Sequence, residues 1–168
     1  TPETATTVDI STFIEGGFLL ETIQKMFEHL HWANERILDT LQKIEGENNG
    51  ALRLFSHILL TEKLWFTRLQ GLDSSHIAIW EDVHIDACAE LAKQNEQSIT
   101  SFLKNLTNRD LDNIVTYKNS KGIEFQNTLR EILTHVALHG HYHRGQINLR
   151  LRSERHEPVN VDFITFVR

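Results

Sequence analysis

The sequence predicts an all-α protein: four long helices packed as a bundle, with a short β-hairpin ahead of the last one. Three observations carry this. Four separate stretches place apolar residues three and four apart, the spacing of one helical face. The only prolines are Pro2 and Pro158, so nothing between them need break a helix. Clusters of Gly, Asn, Asp and Ser punctuate the stretches between those helices. A chain of 168 residues is long enough for one domain with a proper core. Its 40 % hydrophobic and 24 % charged content is that of an ordinary globular chain.

Residues 1–17 read as a flexible polar lead-in ending at Gly16-Gly17. The bundle domain is expected over 18–168. The first helix runs from Phe18 to about Ile44, with Leu19, Ile23, Met26, Phe27, Leu30, Ile37, Leu38 and Leu41 on its apolar side. Gly46 to Gly50 stop it. The second spans about Ala51 to Gln70, with Leu54, Ile58, Leu60, Leu64 and Trp65 defining its apolar sector. His57 falls inside that sector, and Glu62 lies further round the wheel, where solvent is expected. Residues 72–84 form a loop. The third helix covers about Ile85 to Leu106, and its middle, Lys93 to Gln97, reads as a solvated polar face. Ile114–Tyr117 and Ile123–Phe125 flank a turn with Gly122, the pattern of a hairpin. Thr128 caps the fourth helix with Glu131 at capping-box distance, and the helix continues to Leu151. Val159 to Val167 reads as a short strand or an extended tail.

The fourth helix holds four of the ten histidines within nine residues: His135, His139, His141 and His143. Taking His143 as zero and about 100° per residue, His139 falls at roughly −40°, His135 at about −80° and His141 at about 160°. His139 and His143 therefore point inward, one turn apart; His135 is at the edge of that face and His141 on the far side. Two inward imidazoles four apart can converge on one divalent metal, or they can be core histidines held by hydrogen bonds. Gly140 occupies the place where a His-Glu-x-x-His protease carries its base, so that chemistry is excluded. His57, taken alone, reads as a hydrogen-bonded core residue. Glu81-x-x-His84 has no second copy and reads as chance. Arg144, Arg150, Arg152 and Arg155 suit a helix C-terminus, with an anion-binding rim as the functional alternative.

The net charge of −6 argues against a nucleic-acid partner. No apolar run approaches a membrane span, and no signal peptide is seen at the N-terminus, which lacks a methionine. Cys88 is the only cysteine, so no internal disulfide forms, a small semi-buried role is expected for it, and a cytoplasmic location is expected.

Three stretches, Trp32-Ala33-Asn34-Glu35-Arg36-Ile37-Leu38, His57 to Trp65, and His135 to Ile147, together with the closing Pro158 to Ile164, resemble the DinB/YfiT-like metalloprotein family. The resemblance covers roughly Phe18 to Phe166. It implies an up-down-down-up arrangement of the four helices. It also implies a divalent metal held by one histidine of the second helix and two of the fourth, which fall here on His57, His139 and His143. His135 then reads as a residue beside the ligands or in the core, and Tyr142, Arg144 and Gln146 as candidates to orient ligands or substrate. Three imidazoles leave a coordination position open, as in catalytic sites. Zinc or nickel is the expected metal, with iron as an alternative. Relatives of this type include thiol-dependent S-transferases and isomerases, so a low-molecular-weight thiol or another small molecule is the expected partner, together with a homodimer. Two functions stay open: a transferase or hydrolase whose metal activates a thiol or water, and a non-catalytic, dimeric, stress-related metal-binding module.

Overall fold

The computed structural model describes residues 18–44 and 49–168. The expected lead-in at 1–17 and most of the turn at 46–50 lie outside the described residues. Helix α1 is Phe18–Lys43, α2 is Asn49–Leu69 and α3 is Ile85–Lys104. A 3-10 turn at Asn108–Asp112 leads into β1 (Ile114–Lys118) and β2 (Glu124–Thr128). Helix α4 is Leu129–Ser153, and a last helical turn, α5, is Phe163–Phe166.

Each element has a local cause. The apolar side of α1 buries Leu20, Ile23, Phe27, Leu30, Ala33, Ile37 and Leu41, spaced by threes and fours. At the start of α4 the capping box forms in full: the Glu131 amide donates to Thr128 Oγ1 at 3.3 Å, and the Thr128 amide donates to Glu131 Oε2 at 2.8 Å. The strands pair antiparallel from Ile114 with Thr128 to Lys118 with Glu124. Their turn needs a left-handed residue, and Gly122 takes it at φ 75°. Asn119 Oδ1 closes that turn by accepting from the amides of Lys121 and Ile123. The Leu129 amide then bonds to Asn113 O at 2.9 Å and ties the hairpin to the head of α4.

Packing is ordered. Helix α2 lies mainly against α4 and α3, and α1 mainly against α3 and α4. The apolar core divides into two clusters. One gathers Ala33, Ile37 and Leu41 of α1 with Ala51, Phe55, Ile58 and Leu59 of α2, Cys88 of α3, and Ile147 and Leu151 of α4. The other gathers Leu20 to Leu30 of α1 with Phe66 of α2, Ile99 and Leu103 of α3, and Leu129, Leu133 and Val136 of α4. In all four helices the residues between the clusters include buried polar ones: His31 and Asn34, Glu62, Asn95, and His143 and Arg144. The candidate site occupies this polar layer.

Three expectations are corrected. The tail holds no strand: Val159 and Val161 are buried against the bundle, and 163–166 turn into a helix. The polar middle of α3 is not wholly solvated, because Asn95 is buried and donates to Leu59 O at 2.9 Å. Cys88 is fully buried instead of semi-buried, packed beside Ser56. No helix among the described residues is long and apolar enough to cross a membrane.

Candidate metal centre

His57, His139 and His143 come together. Their ring nitrogens lie within 4.8 Å of one another. His139 Nε2 stands 3.2 Å from His57 Nε2 and 3.1 Å from His143 Nε2. Two nitrogens bound tetrahedrally at about 2.0–2.1 Å from a zinc ion stand roughly 3.3 Å apart, so the spacing is that of ligands around one cation. Helix periodicity brings His139 and His143 onto one face of α4, and the packing of α2 on α4 delivers His57 to them.

The outer nitrogens fix which atom of each ring faces the centre. His57 Nδ1 is 2.8 Å from Ile79 O, a group that can only accept. His143 Nδ1 is 2.6 Å from Gln146 Oε1. Each ring therefore donates its Nδ1 proton outward and turns a bare Nε2 inward. A neutral His139 can donate one proton to one of these neighbours; the other contact is lone pair against lone pair. With the His139 proton on Nδ1 instead, three lone pairs converge, and one cation satisfies all three. Protonation is an expensive alternative. Burial, then the charges of His143, His57 and His135, hold the His139 pKa down to about 4, and burial also lowers that of His57. Near neutral pH His57 and His139 are thus held in the neutral form that a metal ligand needs.

The loop between α2 and α3 roofs the centre. Trp80 stacks on His57 with ring centroids 3.6 Å apart and planes 4° from parallel. Its neighbour Ile79 supplies the carbonyl that orients the same ring. His135 is exposed; its ring lies 5.7 Å from His139 and 5.4 Å from Trp65. Tyr142 is also exposed, its ring 5.1 Å from that of His143. His139 is the least buried of the three clustered histidines.

A profile of the DinB family matches residues 18–168. The chain belongs to the DinB family. It is 24 % identical to "Protein DinB" of Bacillus subtilis (strain 168), over 83 % of this chain and 90 % of that protein. It is also 24 % identical to "Uncharacterized protein YizA" of the same organism, over 79 % of this chain and 83 % of that one.

In this DinB-family chain Arg144 does not belong to a surface rim. It is 1 % exposed, and its Nη1 donates to Asn34 Oδ1 at 2.9 Å. Glu62, expected in solvent, is 2 % exposed. Its Oε1 accepts from Asn34 Nδ2 at 2.9 Å and its Oε2 from Asn95 Nδ2 at 3.1 Å. Burial raises the Glu62 carboxyl above the ordinary range, opposed by Asn34, Arg144 and Asn95. Burial likewise lowers the Arg144 guanidinium to about 10, opposed by Glu62. The wheel for α2 put Glu62 outside because it assumed one buried face, whereas α2 is covered by both α3 and α4. His141 lies on the other side of α4, its ring 6.1 Å from His29.

Sequence reasoning in this DinB-family protein did not reach Ile79, Trp80, Asn34 or Asn95. Asn34 stood inside a stretch that carried the family resemblance, which was its one available signal. Trp80 sits in a loop, where no periodicity tells which way a ring points.

Proposed function

We propose that the protein is a metal-dependent enzyme in which His57, His139 and His143 hold a divalent cation that activates a thiol or a water molecule, as in a thiol S-transferase or a hydrolase. The observation that carries this reading is the meeting of three Nε2 atoms, with the outer nitrogens of His57 and His143 already committed to Ile79 O and Gln146 Oε1. Zinc or nickel suits three neutral imidazoles, and iron is the alternative. A cation in such a site lowers the pKa of a coordinated thiol or water and leaves room for substrate. The chain's own residues bind and orient: Ile79 O and Gln146 Oε1 set the ring tautomers, and Trp80 shields one face of His57 from water. Tyr142 and His135 flank the exposed side, where a small-molecule substrate or a low-molecular-weight thiol would approach.

The fold reading is a single bundle domain over 18–168 with an up-down-down-up course. Its support is the membership of the two core clusters: the late part of α1 shares one with the early part of α2, the start of α3 and the end of α4. A cytoplasmic location fits the single buried thiol.

The test is metal content of the purified protein, followed by thiol-conjugation and hydrolase assays on the wild type and His57→Ala. Stoichiometric metal with activity that disappears in His57→Ala is expected. Activity that survives removal of this ligand would refute the enzymatic reading.

One observation favours a second reading, a dimeric non-catalytic metal-binding module. Leu138, Tyr142 and Leu149 are all exposed on α4, an apolar stripe beside the centre that a second copy would cover. The group contains three histidines and no carboxylate to act as a base. Light scattering before and after chelation separates the readings: metal loss that dissociates the dimer without changing any activity supports the module.

A further inference from the structure

We propose that Arg144 is a positioning residue for the metal centre, working through Asn34 and Glu62 to set the rotation of α4 against α2 so that His139 and His143 face His57. This rests on the metal reading above. Arg144 directly follows His143, and Glu62 lies five residues beyond His57 on α2. The polar chain joining them crosses the whole bundle, with one member from each long helix. Arg144 Nη1 donates to Asn34 Oδ1, Asn34 Nδ2 donates to Glu62 Oε1, and Asn95 Nδ2 donates to Glu62 Oε2. Asn34 touches both charged groups, one with each end of its amide, so turning the amide would take from Arg144 its one hydrogen bond among the described residues and from Glu62 one of its two donors.

An apolar contact tolerates small helix rotations, because one methyl replaces another at little cost. A buried hydrogen-bond chain does not, since its energy depends on direction and distance. The chain therefore fixes what the apolar clusters above and below it leave adjustable. Gly140 supplies an independent sign. It lies between the two ligands on α4, and a Cβ built there would stand 3.0 Å from Arg144 Nη1 and 3.6 Å from Cζ. The guanidinium thus folds back along its own helix over a glycine, where any side chain would crowd it. A glycine in mid-helix lowers helix propensity, and its position under Arg144 accounts for its presence.

Gly140→Ala is the discriminating variant. It raises helix propensity and keeps every charge, while crowding Arg144 Nη1, which must give way by a few tenths of an ångström at its bond to Asn34. Arg144→Met and Asn34→Leu are its companions, and Leu103→Ala, in the apolar cluster away from the centre, is the control for lost stability. Co2+ is the probe: titrate it into chelator-treated protein, at a temperature where circular dichroism shows each variant folded, and read affinity and visible absorption. We expect Gly140→Ala to weaken Co2+ binding by about ten-fold or more, in the range typical of residues that orient ligands, and to alter the absorption band. Leu103→Ala should leave both within about two-fold of wild type, as expected for a distant, uncoupled site. Wild-type affinity and absorption in folded Gly140→Ala, with Arg144→Met unchanged as well, overturns the positioning role alone. Absence of stoichiometric Co2+ binding by the wild type overturns the metal reading and this inference with it. If Arg144→Met or Asn34→Leu does not fold, Gly140→Ala decides by itself.

Discussion

Acid should weaken this fold through one identifiable residue, His31. Its side chain is buried on α1, its ring 6.5 Å from that of Phe27, and its Nε2 has no hydrogen-bond partner among the described residues. Burial first, then the positive charge of Arg144, hold its pKa at about 4, against 6.5 for an unperturbed ring. Because the folded pKa lies below the unfolded one, the two states bind equal protons well above pH 6.5. As pH falls from there toward 4 the unfolded chain takes up a proton that the folded chain refuses, and stability is lost. The full loss is about 3 kcal/mol, and the portion between pH 7 and pH 5 is about 2 kcal/mol, from roughly 1.4 kcal/mol per pKa unit. His139 follows the same sign when no metal is bound, so the comparison must isolate His31. Urea unfolding of chelator-treated wild type and His31→Gln at pH 7, 6 and 5 does this. Wild type should lose about 2 kcal/mol more than the variant over that range. Parallel pH dependence in the two proteins would show that His31 is protonated in the folded state and refute the argument.

Further outcomes follow from particular contacts. Gln146→Ala removes the acceptor of His143 Nδ1 and should lower Zn2+ affinity about 10- to 100-fold, measured by competition with a chromophoric chelator, with little change in unfolding midpoint. Cu2+ should quench tryptophan fluorescence chiefly through Trp80, which stacks on His57, so Trp80→Phe should lose most of the quench. Thr128→Ala breaks the capping box of α4 and should cost about 1 kcal/mol in denaturant unfolding while leaving metal stoichiometry unchanged. Phe55→Ala empties a fully buried site in the cluster below the polar layer and should cost about 3–5 kcal/mol.

Helix existence was legible because it is written in local period. The run from Ile23 to Leu41 and the box from Thr128 to Glu131 need no knowledge of the rest of the chain. The inward direction of His139 and His143 was legible for the same reason, since both lie on one helix. His57 lay on another helix, and only the family resemblance linked it to them before the packing of α2 on α4 did.

Local pattern by itself determined that this chain makes four long helices and a hairpin, and that two histidines share a buried face. Tertiary structure decided what meets that face. Glu62 and Asn95 sit on stretches that read as solvated, yet they are buried, because a helix touched by two neighbours has more than one inner side. Whether a charged side chain faces water or a partner is set by residues far away in sequence: Arg144 finds Asn34 from 110 positions away, and His57 finds His139 from 82. Periodicity reports the direction of a side chain around its own helix axis; only the packing of one helix on another supplies the group at the other end.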